Sequence, residues 1–220
     1  ILDDMGTEIK ISGEMVNDAY LTQYLPNSNY GDYPYIYIGR NYGSYLARGL
    51  IKFNLSVVPE NAMILDARLI LKAHGVDYNV SLNLHVINSS WEEHEVTWNR
   101  RNSNETWEVP GGDFGETIET KNFSEDCVVI FDSDTLLNII KAWYNNSLPN
   151  YGFILEADNS PTNSNFYIKQ AEYTDEDIIL VVTYLTTDAT PPLVENISIS
   201  ASATSAIITW QTNELADRLV

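Results

Sequence analysis

The chain has 220 residues, 31 of them acidic and 12 basic, for a formal net charge of −19. A hydrophobic fraction of 44% is that of a folded globule and excludes global disorder, while the charge would repel nucleic acid. The longest apolar runs, such as Ile178-Ile-Leu-Val-Val182, fall far short of the roughly 18–20 residues that cross a bilayer, so no membrane span is expected.

The first chemistry-bearing stretch is Asn17-Asp18 with Asn27-Ser-Asn-Tyr-Gly-Asp32. Hard cations take oxygen ligands, which makes Asp18 and Asn29 candidate ligands of a structural calcium; the competing account is a set of Asx-turns. Tyrosines then crowd the chain at Tyr30, Tyr33, Tyr35, Tyr37, Tyr42 and Tyr45. Tyr35 and Tyr37 share a face of an alternating strand and read as packing. Tyr42 and Tyr45 fall in a Gly-rich loop, where a ring is free to stack on a sugar. Residues 48–55 alternate, with Ile51, Phe53 and Leu55 on one side and Arg48, Leu50, Lys52 and Asn54 on the other. Residues 65–73 place Ala67, Leu69 and Leu71 inward, opposite Asp66, Arg68, Ile70 and Lys72. Residues 80–86 set Val80, Leu82, Leu84 and Val86 against Ser81, Asn83 and His85. Further strands are predicted over 127–131, 152–157, 166–170 and 178–184, with turn signals such as Pro110-Gly-Gly-Asp between them. Between the strands, 134–144 carries Leu136, Ile139, Ile140 and Trp143 on one helical face, with Ser133 or Asp134 as N-cap. Many short strands and one short helix predict an all-β antiparallel sandwich.

The composition changes after Tyr184. Residues 186–192 read as a Pro-containing linker, so the expected organisation is a domain over 1–185, the linker, and a second segment over 193–220. The chain opens Ile-Leu-Asp-Asp without Met and is expected to be a segment or a mature fragment.

Cys127 sits in an apolar run and reads as a small buried hydrophobe. His74, His85 and His94 form no metal-binding spacing. Sequons begin at Asn54, Asn79, Asn88, Asn104, Asn122, Asn145 and Asn196, against roughly three expected by chance. Asn-rich turns and a secreted glycoprotein both account for them. Glu92, Glu93 and Glu95 are too close together to face one another across a sugar, as a glycosidase requires, so no active site is expected.

Strand phase turns Arg48, Lys52, Arg68 and Lys72 away from the core, with Asn83 and His85 outward on the next strand. If these strands are neighbours, the bases form a cationic strip suited to a polymer bearing regular carboxylates. Arg40 and Lys169 would be its outer contacts and Tyr42 a stacking ring. Each exposed pair contributes only about 0.2–1 kcal/mol, so the strip works by number. The competing account is pairing with the abundant acids.

The order Asp18-Ala-Tyr20, Pro26-Asn-Ser-Asn-Tyr-Gly31, Tyr37-Ile-Gly39, Lys52-Phe-Asn-Leu55, Ala67-Arg-Leu-Ile-Leu71, Trp91-Glu, Val96-Thr-Trp-Asn99, Ala142-Trp143, Asn150-Tyr-Gly152 and Leu180-Val-Val-Thr-Tyr184 resembles the DNRLRE domain. It is most similar to the disaggregatase-related repeat of methanogenic archaea, also classed as carbohydrate-binding module family 96. The resemblance covers the first 185 residues. It implies a jelly-roll module on an extracellular, multi-domain protein that binds uronic-acid polymers such as alginate, without catalysis. Near Lys169-Gln-Ala-Glu172 the family's Ser-Arg-Glu is kept only as Glu172. After the linker, Val194-Glu-Asn-Ile-Ser-Ile-Ser200 and Ile208-Thr-Trp210 resemble the opening strands of a fibronectin type III domain with its early buried Trp. The sequence therefore predicts a non-catalytic binder of acidic polysaccharide at the cell surface, joined to further domains of the same parent protein. The alternative is a structural stalk with no glycan ligand.

Overall fold

In the computed structural model, residues 6–186 and 193–212 are described. The backbone divides into two compact units, Ile1–Leu185 and Thr186–Val220. The first contains β1 (Thr7–Ile11), β2 (Val16–Thr22), β3 (Tyr35–Asn41), β4 (Tyr45–Phe53), β5 (Ala62–Ala73), β6 (Val80–Ile87), β7 (Phe114–Phe123), β8 (Cys127–Phe131), α1 (Asp134–Tyr144), β9 (Phe153–Glu156), β10 (Asn165–Lys169) and β11 (Ile178–Thr186).

These strands form two antiparallel sheets. The smaller runs β1-β11-β5-β8; the larger runs β10-β3-β4-β9-β6-β7, with β2 also paired to β4. The alternation of apolar residues explains the layering. Ile64, Ala67, Leu69 and Leu71 of β5, with Leu180 and Val182 of β11, meet Ile36 and Ile38 of β3, Ile51 and Phe53 of β4, Leu82 and Leu84 of β6, and Phe166 and Ile168 of β10 in one buried core. This is an all-β antiparallel sandwich. The helix α1 begins where Ser133 accepts the Leu136 N–H through its side chain (3.2 Å), and it packs Leu136, Ile140 and Trp143 against the sandwich beside β5 and β7.

The sequence missed β1, β2 and β7. The ten residues of β7, Phe-Gly-Glu-Thr-Ile-Glu-Thr-Lys-Asn-Phe, have little apolar alternation. They form a strand because they close the edge of the larger sheet against β6, where one face meets solvent.

A second, smaller core lies on the other face of the larger sheet. The long segment between β6 and β7 folds back and lays Trp91, Val96, Trp98 and Trp107 over Ala19, Leu21, Leu50 and Ile154. The Trp91 indole N–H donates to the Tyr151 carbonyl (2.7 Å) and that of Trp107 to the Thr97 carbonyl (3.0 Å). This segment acts as a roof.

The second unit is a hairpin of β12 (Val194–Ala201) and β13 (Ala206–Thr212), with a bulge between Glu195 and Ser198. The resemblance implied a buried Trp210, but Trp210 is 59% exposed, as are Ile197, Ile199, Ile207 and Ile208 to similar degrees. Two strands supply no facing sheet to cover the ring. Of the expected linker only Thr186, the end of β11, is described; 187–192 and 213–220 lie outside the described residues.

Candidate functional site

The expected cationic strip does not form. Arg48 and Lys52 are on β4 of the larger sheet, whereas Arg68 and Lys72 are on β5 of the smaller one. Each pair points away from the shared core, as strand phase requires, and so the two pairs lie on opposite outer faces of the sandwich. Phase determines which side of its own sheet a residue occupies, not which sheet its strand joins.

The bases are also engaged. Arg48 is nearly buried beneath the roof. Its guanidinium forms a two-pronged pair with the Asp158 carboxylate, donates to the Gly111 carbonyl (2.9 Å), and lies 5.2 Å and 5.0 Å from the ring centres of Trp98 and Phe114. Gly111 has φ +98°, and a Cβ there would meet the Trp98 ring at 2.7 Å and Arg48 at 2.9 Å, so glycine is required for this close approach. The Lys52 ammonium sits 5.4 Å from the centre of the Trp91 ring. His85 is buried against Phe114 and contacts Glu156 at 3.4 Å; Asn83 donates to the same carboxylate at 2.6 Å. Burial alone would raise the Glu156 pKa, but hydrogen bonds from His85, the Asp158 N–H and Asn83 outweigh it and bring the value down to about 2. Arg40 donates to the Ser44 and Asp158 carbonyls (2.9 and 2.8 Å). On the opposite face, Arg68 pairs with Glu8 and Asp66, and Lys72 reaches Glu176 at 4.0 Å. Thus Arg48, His85, Asn83 and Arg40 hold the fold together, and Arg68 and Lys72 are paired on a separate surface.

Asp18 and Asn29 do not fit a shared calcium site. Asn29 donates to the Glu93 and Val96 carbonyls (2.7 and 2.8 Å) and accepts the Gly31 N–H (3.2 Å), as an Asx-turn does. Asp18 is fully buried and accepts the Ala171 N–H (2.8 Å) on one oxygen while the other has no hydrogen-bond partner. Burial pushes its carboxyl well above the ordinary value, against the Ala171 bond and with help from Glu172 and Glu93. Among the described residues no three His, Cys, Asp or Glu side chains are grouped to hold a metal. Glu93 accepts from the Asp18 N–H (2.6 Å) and Asn17 (2.7 Å), and Glu95 from the Ser103 N–H (2.8 Å), so these acids tie turns together.

What the structure does bring together is tyrosine. On the outer face of β3 and β10, Tyr167 lies edge-on to Tyr35 and Tyr37, which are tilted against each other, with ring centres 4.8–6.1 Å apart. Tyr33 joins them, and Tyr20 and Tyr30 stack beside it at 4.3 Å. Next to this group Tyr42 stacks on Tyr24 at 4.2 Å, with Tyr45 at 5.4 Å from Tyr24. A groove of about 270 Å³ joins the two groups and is lined by Tyr20, Tyr33, Tyr37, Asn41, Tyr42 and Asn165. Neighbouring Tyr phenols and burial raise the pKa of Tyr37, burial being the larger cause, so its hydroxyl stays protonated at neutral pH.

Two local features point to recognition. The Asn41 side-chain oxygen is buried and has no hydrogen-bond partner among the described residues, which leaves an unsatisfied acceptor in a residue that lines the groove. Tyr42 is held at φ +45°, a left-handed conformation that costs a bulky residue of order 1–3 kcal/mol, yet the residue is 69% exposed. The loop is pinned by Asn163, whose N–H donates to the Gly43 carbonyl (2.8 Å). Lys169 lies on this face at the β10 position opposite Tyr35, and its ammonium is in no ion pair among the described residues.

Of the sequence candidates, Tyr42 lines this groove and Lys169 stands farther along β10, opposite Tyr35; Tyr20, Tyr33, Tyr37, Asn41 and Asn165 were missed. Their signal was present in the alternation 33-35-37, but it reads as packing until β10 supplies Tyr167 and Asn165 alongside.

No helix among the described residues is long and apolar enough to cross a membrane. No curated protein matches the chain. The family model described as carbohydrate-binding module family 96 matches residues 11–109, a stretch that holds β2 to β6, most of the tyrosine face and nearly all of the roof. Over that stretch the first unit is similar to carbohydrate-binding module family 96, which points to a sugar-binding module there.

Proposed function

We propose that the first unit binds a polysaccharide chain along the tyrosine groove, outside the cell, and that ring stacking rather than charge supplies most of the affinity. The observation that carries this reading is the contiguous set of tyrosines around Asn41, the partly exposed Tyr33, Tyr37 and Tyr42 backed by the buried Tyr20, with no carboxylate in the groove lining. A sugar ring presents an apolar C–H face to an aromatic ring and hydroxyls to the phenols and amides around it. Three stacked rings at about 0.5–1.5 kcal/mol each, with hydrogen bonds to Asn41 and the tyrosine hydroxyls, suit a Kd in the millimolar to roughly ten-micromolar range. Repetition in a larger parent protein would raise this through avidity.

An acidic polymer such as alginate remains the second reading, favoured by Lys169 alone. One exposed cation is worth about 0.2–1 kcal/mol, and a net charge of −19 opposes a polyanion at long range. The favoured ligand is therefore an uncharged or sparsely charged chain.

Affinity electrophoresis of the full chain in gels containing soluble glucans, galactans, mannans or alginate separates the readings. The expected result is retardation by at least one uncharged polymer that persists at about 0.5 M salt, where the Debye length is only a few Å, and that is lost in Tyr42→Gly and Tyr33→Ala. Retardation by alginate alone, abolished by salt and by Lys169→Ala, would establish the acidic reading instead. Retardation by none of them leaves the structural stalk.

A further inference from the structure

At the far end of β4 lies a second polar concavity, larger than the tyrosine groove. The loop after Phe53, with its 3₁₀ turn Leu55–Val57, faces the C-terminal end of α1 and encloses a cleft of about 790 Å³, within the size range of small-molecule sites. Tyr45 and Phe53 mark the two ends of β4, which places this cleft about 26 Å along the strand from the exposed tyrosines, at roughly 3.3 Å per residue.

The walls of the cleft are built of fixed parts. The Tyr144 hydroxyl donates to the Pro59 carbonyl (2.6 Å) and accepts the Ala62 N–H (2.8 Å), which clamps the loop to the helix end. Asn150 donates to the Phe53 carbonyl (2.9 Å) and accepts the Gly152 N–H (3.1 Å). In contrast, the side-chain amides of Asn61, Asn145 and Asn146 line the cleft and take part in no hydrogen bond among the described residues. Trp143 also lines it; the residue is 3% exposed, and its indole N–H is buried without an acceptor among the described residues.

Two of the free amides stand at backbone positions where glycine would be the cheapest residue. Asn61 has φ +62° and Asn146 φ +55°. The chain thus carries an amide at both places rather than a bare backbone. Amides and hydroxyls each donate and accept, so they pair in several orientations, and the orphaned indole N–H lacks only an oxygen acceptor. Glu60 is the one charged residue of the lining, which excludes an anion and leaves too few carboxylates for a metal.

We propose that this cleft is a second carbohydrate site, taking the uncharged end of a sugar chain, with the Trp143 indole N–H donating to a sugar oxygen and Asn61 and Asn146 gripping hydroxyls from opposite walls. It shares only its ligand class with the groove. A module with both sites holds two stretches of glycan, or two chains, at once.

The test is a ¹⁵N–¹H NMR titration of the full chain, produced without N-glycosylation because Asn145 heads a sequon. The probes are cellohexaose, mannohexaose and galactohexaose. The Trp143 indole signal is identified by its disappearance in Trp143→Phe. The expected result is a saturable shift of that signal and of the Asn61 and Asn146 side-chain amides with at least one probe. The double variant Asn61→Gly, Asn146→Gly suits both backbone positions and leaves the other four indole signals in place, and it should weaken the Trp143 response tenfold or more. In Tyr42→Gly the response should persist. A Trp143 signal that no probe moves overturns the proposal, whether or not groove signals move. So does a response equally strong in the double variant. A Trp143 response with a silent groove would sink the groove reading and leave this one standing.

Discussion

The two halves of the outer face of the larger sheet make an instructive contrast. Around β4, β6 and β9 the face carries Arg48, Lys52, His85 and Glu156, and the segment between β6 and β7 roofs it with tryptophans. Around β3 and β10 it carries Tyr35, Tyr37, Tyr167 and Lys169, with Tyr33 beside them and no tryptophan laid over them among the described residues. Both halves are polar or aromatic, and both point outward by strand phase. Under the roof, each cation is held by an acid, a carbonyl or a ring, and so serves stability. In the open half the polar atoms include one with no partner among the described residues, and Tyr42 is held exposed in a costly conformation, so these groups are free for the recognition proposed above. What separates structure from function here is whether another segment covers the face.

The hardest test of this contrast is Arg48→Ala. It leaves Asp158 half-buried without its partner and removes the cation from beneath Trp98, so the variant should lose about 3–5 kcal/mol in urea unfolding; Arg48→Lys should recover only part, because the fork is lost. Molecules that remain folded should bind glycan with wild-type affinity. Loss of binding at full stability would reverse the roles of the two halves.

Glu156→Gln comes next, at about 1–3 kcal/mol near neutral pH. It also has a pH signature. The folded pKa of about 2 lies below the ordinary 4.5, so as pH falls the unfolded chain takes up the proton first. The stabilisation is complete above about pH 4.5 and drains away as pH falls towards 2. Denaturation midpoints measured across this window should fall with acid in the wild type, and this component should be missing from Glu156→Gln.

In the open half, Tyr42→Gly should cost about tenfold in affinity, or roughly 1.4 kcal/mol of binding. It should not lower the melting temperature, since glycine relieves the backbone cost at φ +45°. A binding loss that tracked unfolding would make Tyr42 another packing residue. The smallest effect is expected on the opposite sheet. Arg68→Ala, which breaks exposed pairs with Glu8 and Asp66, should change stability by about 0.2–1 kcal/mol and leave glycan retardation unaltered. A clear loss of retardation would restore the smaller sheet as a ligand surface.

The sandwich was legible because its central strands alternate. Ile51 and Phe53, Leu69 and Leu71, and Leu82 and Leu84 all face the core as their spacing requires. The Ser133 cap and the Leu136, Ile140 and Trp143 face of α1 were equally plain. The polar edge strand β7 was not, because solvent on one side removes the selection for alternation. The site was legible only in fragments. Tyr42 and Lys169 could be singled out by loop context and phase, while the role of Tyr33, Tyr37 and Asn41 depended on what lay beside them. Trp91 and Trp98 stand in the motifs that carry the family resemblance, but nothing in the sequence marks them as the rings that Lys52 and Arg48 lie over.

By itself the sequence determined the all-β class, the facing of each central strand and the motif order of the family, because these depend on local alternation and short-range turns. The tertiary structure alone decided that β4 and β5 belong to different sheets, that a tryptophan roof covers one half of a face, and that tyrosines from β2, β3 and β10 meet on the other. Strand partnership and cover are long-range events, settled by burial of apolar surface between segments far apart in the chain, and no single strand carries the record of its neighbours.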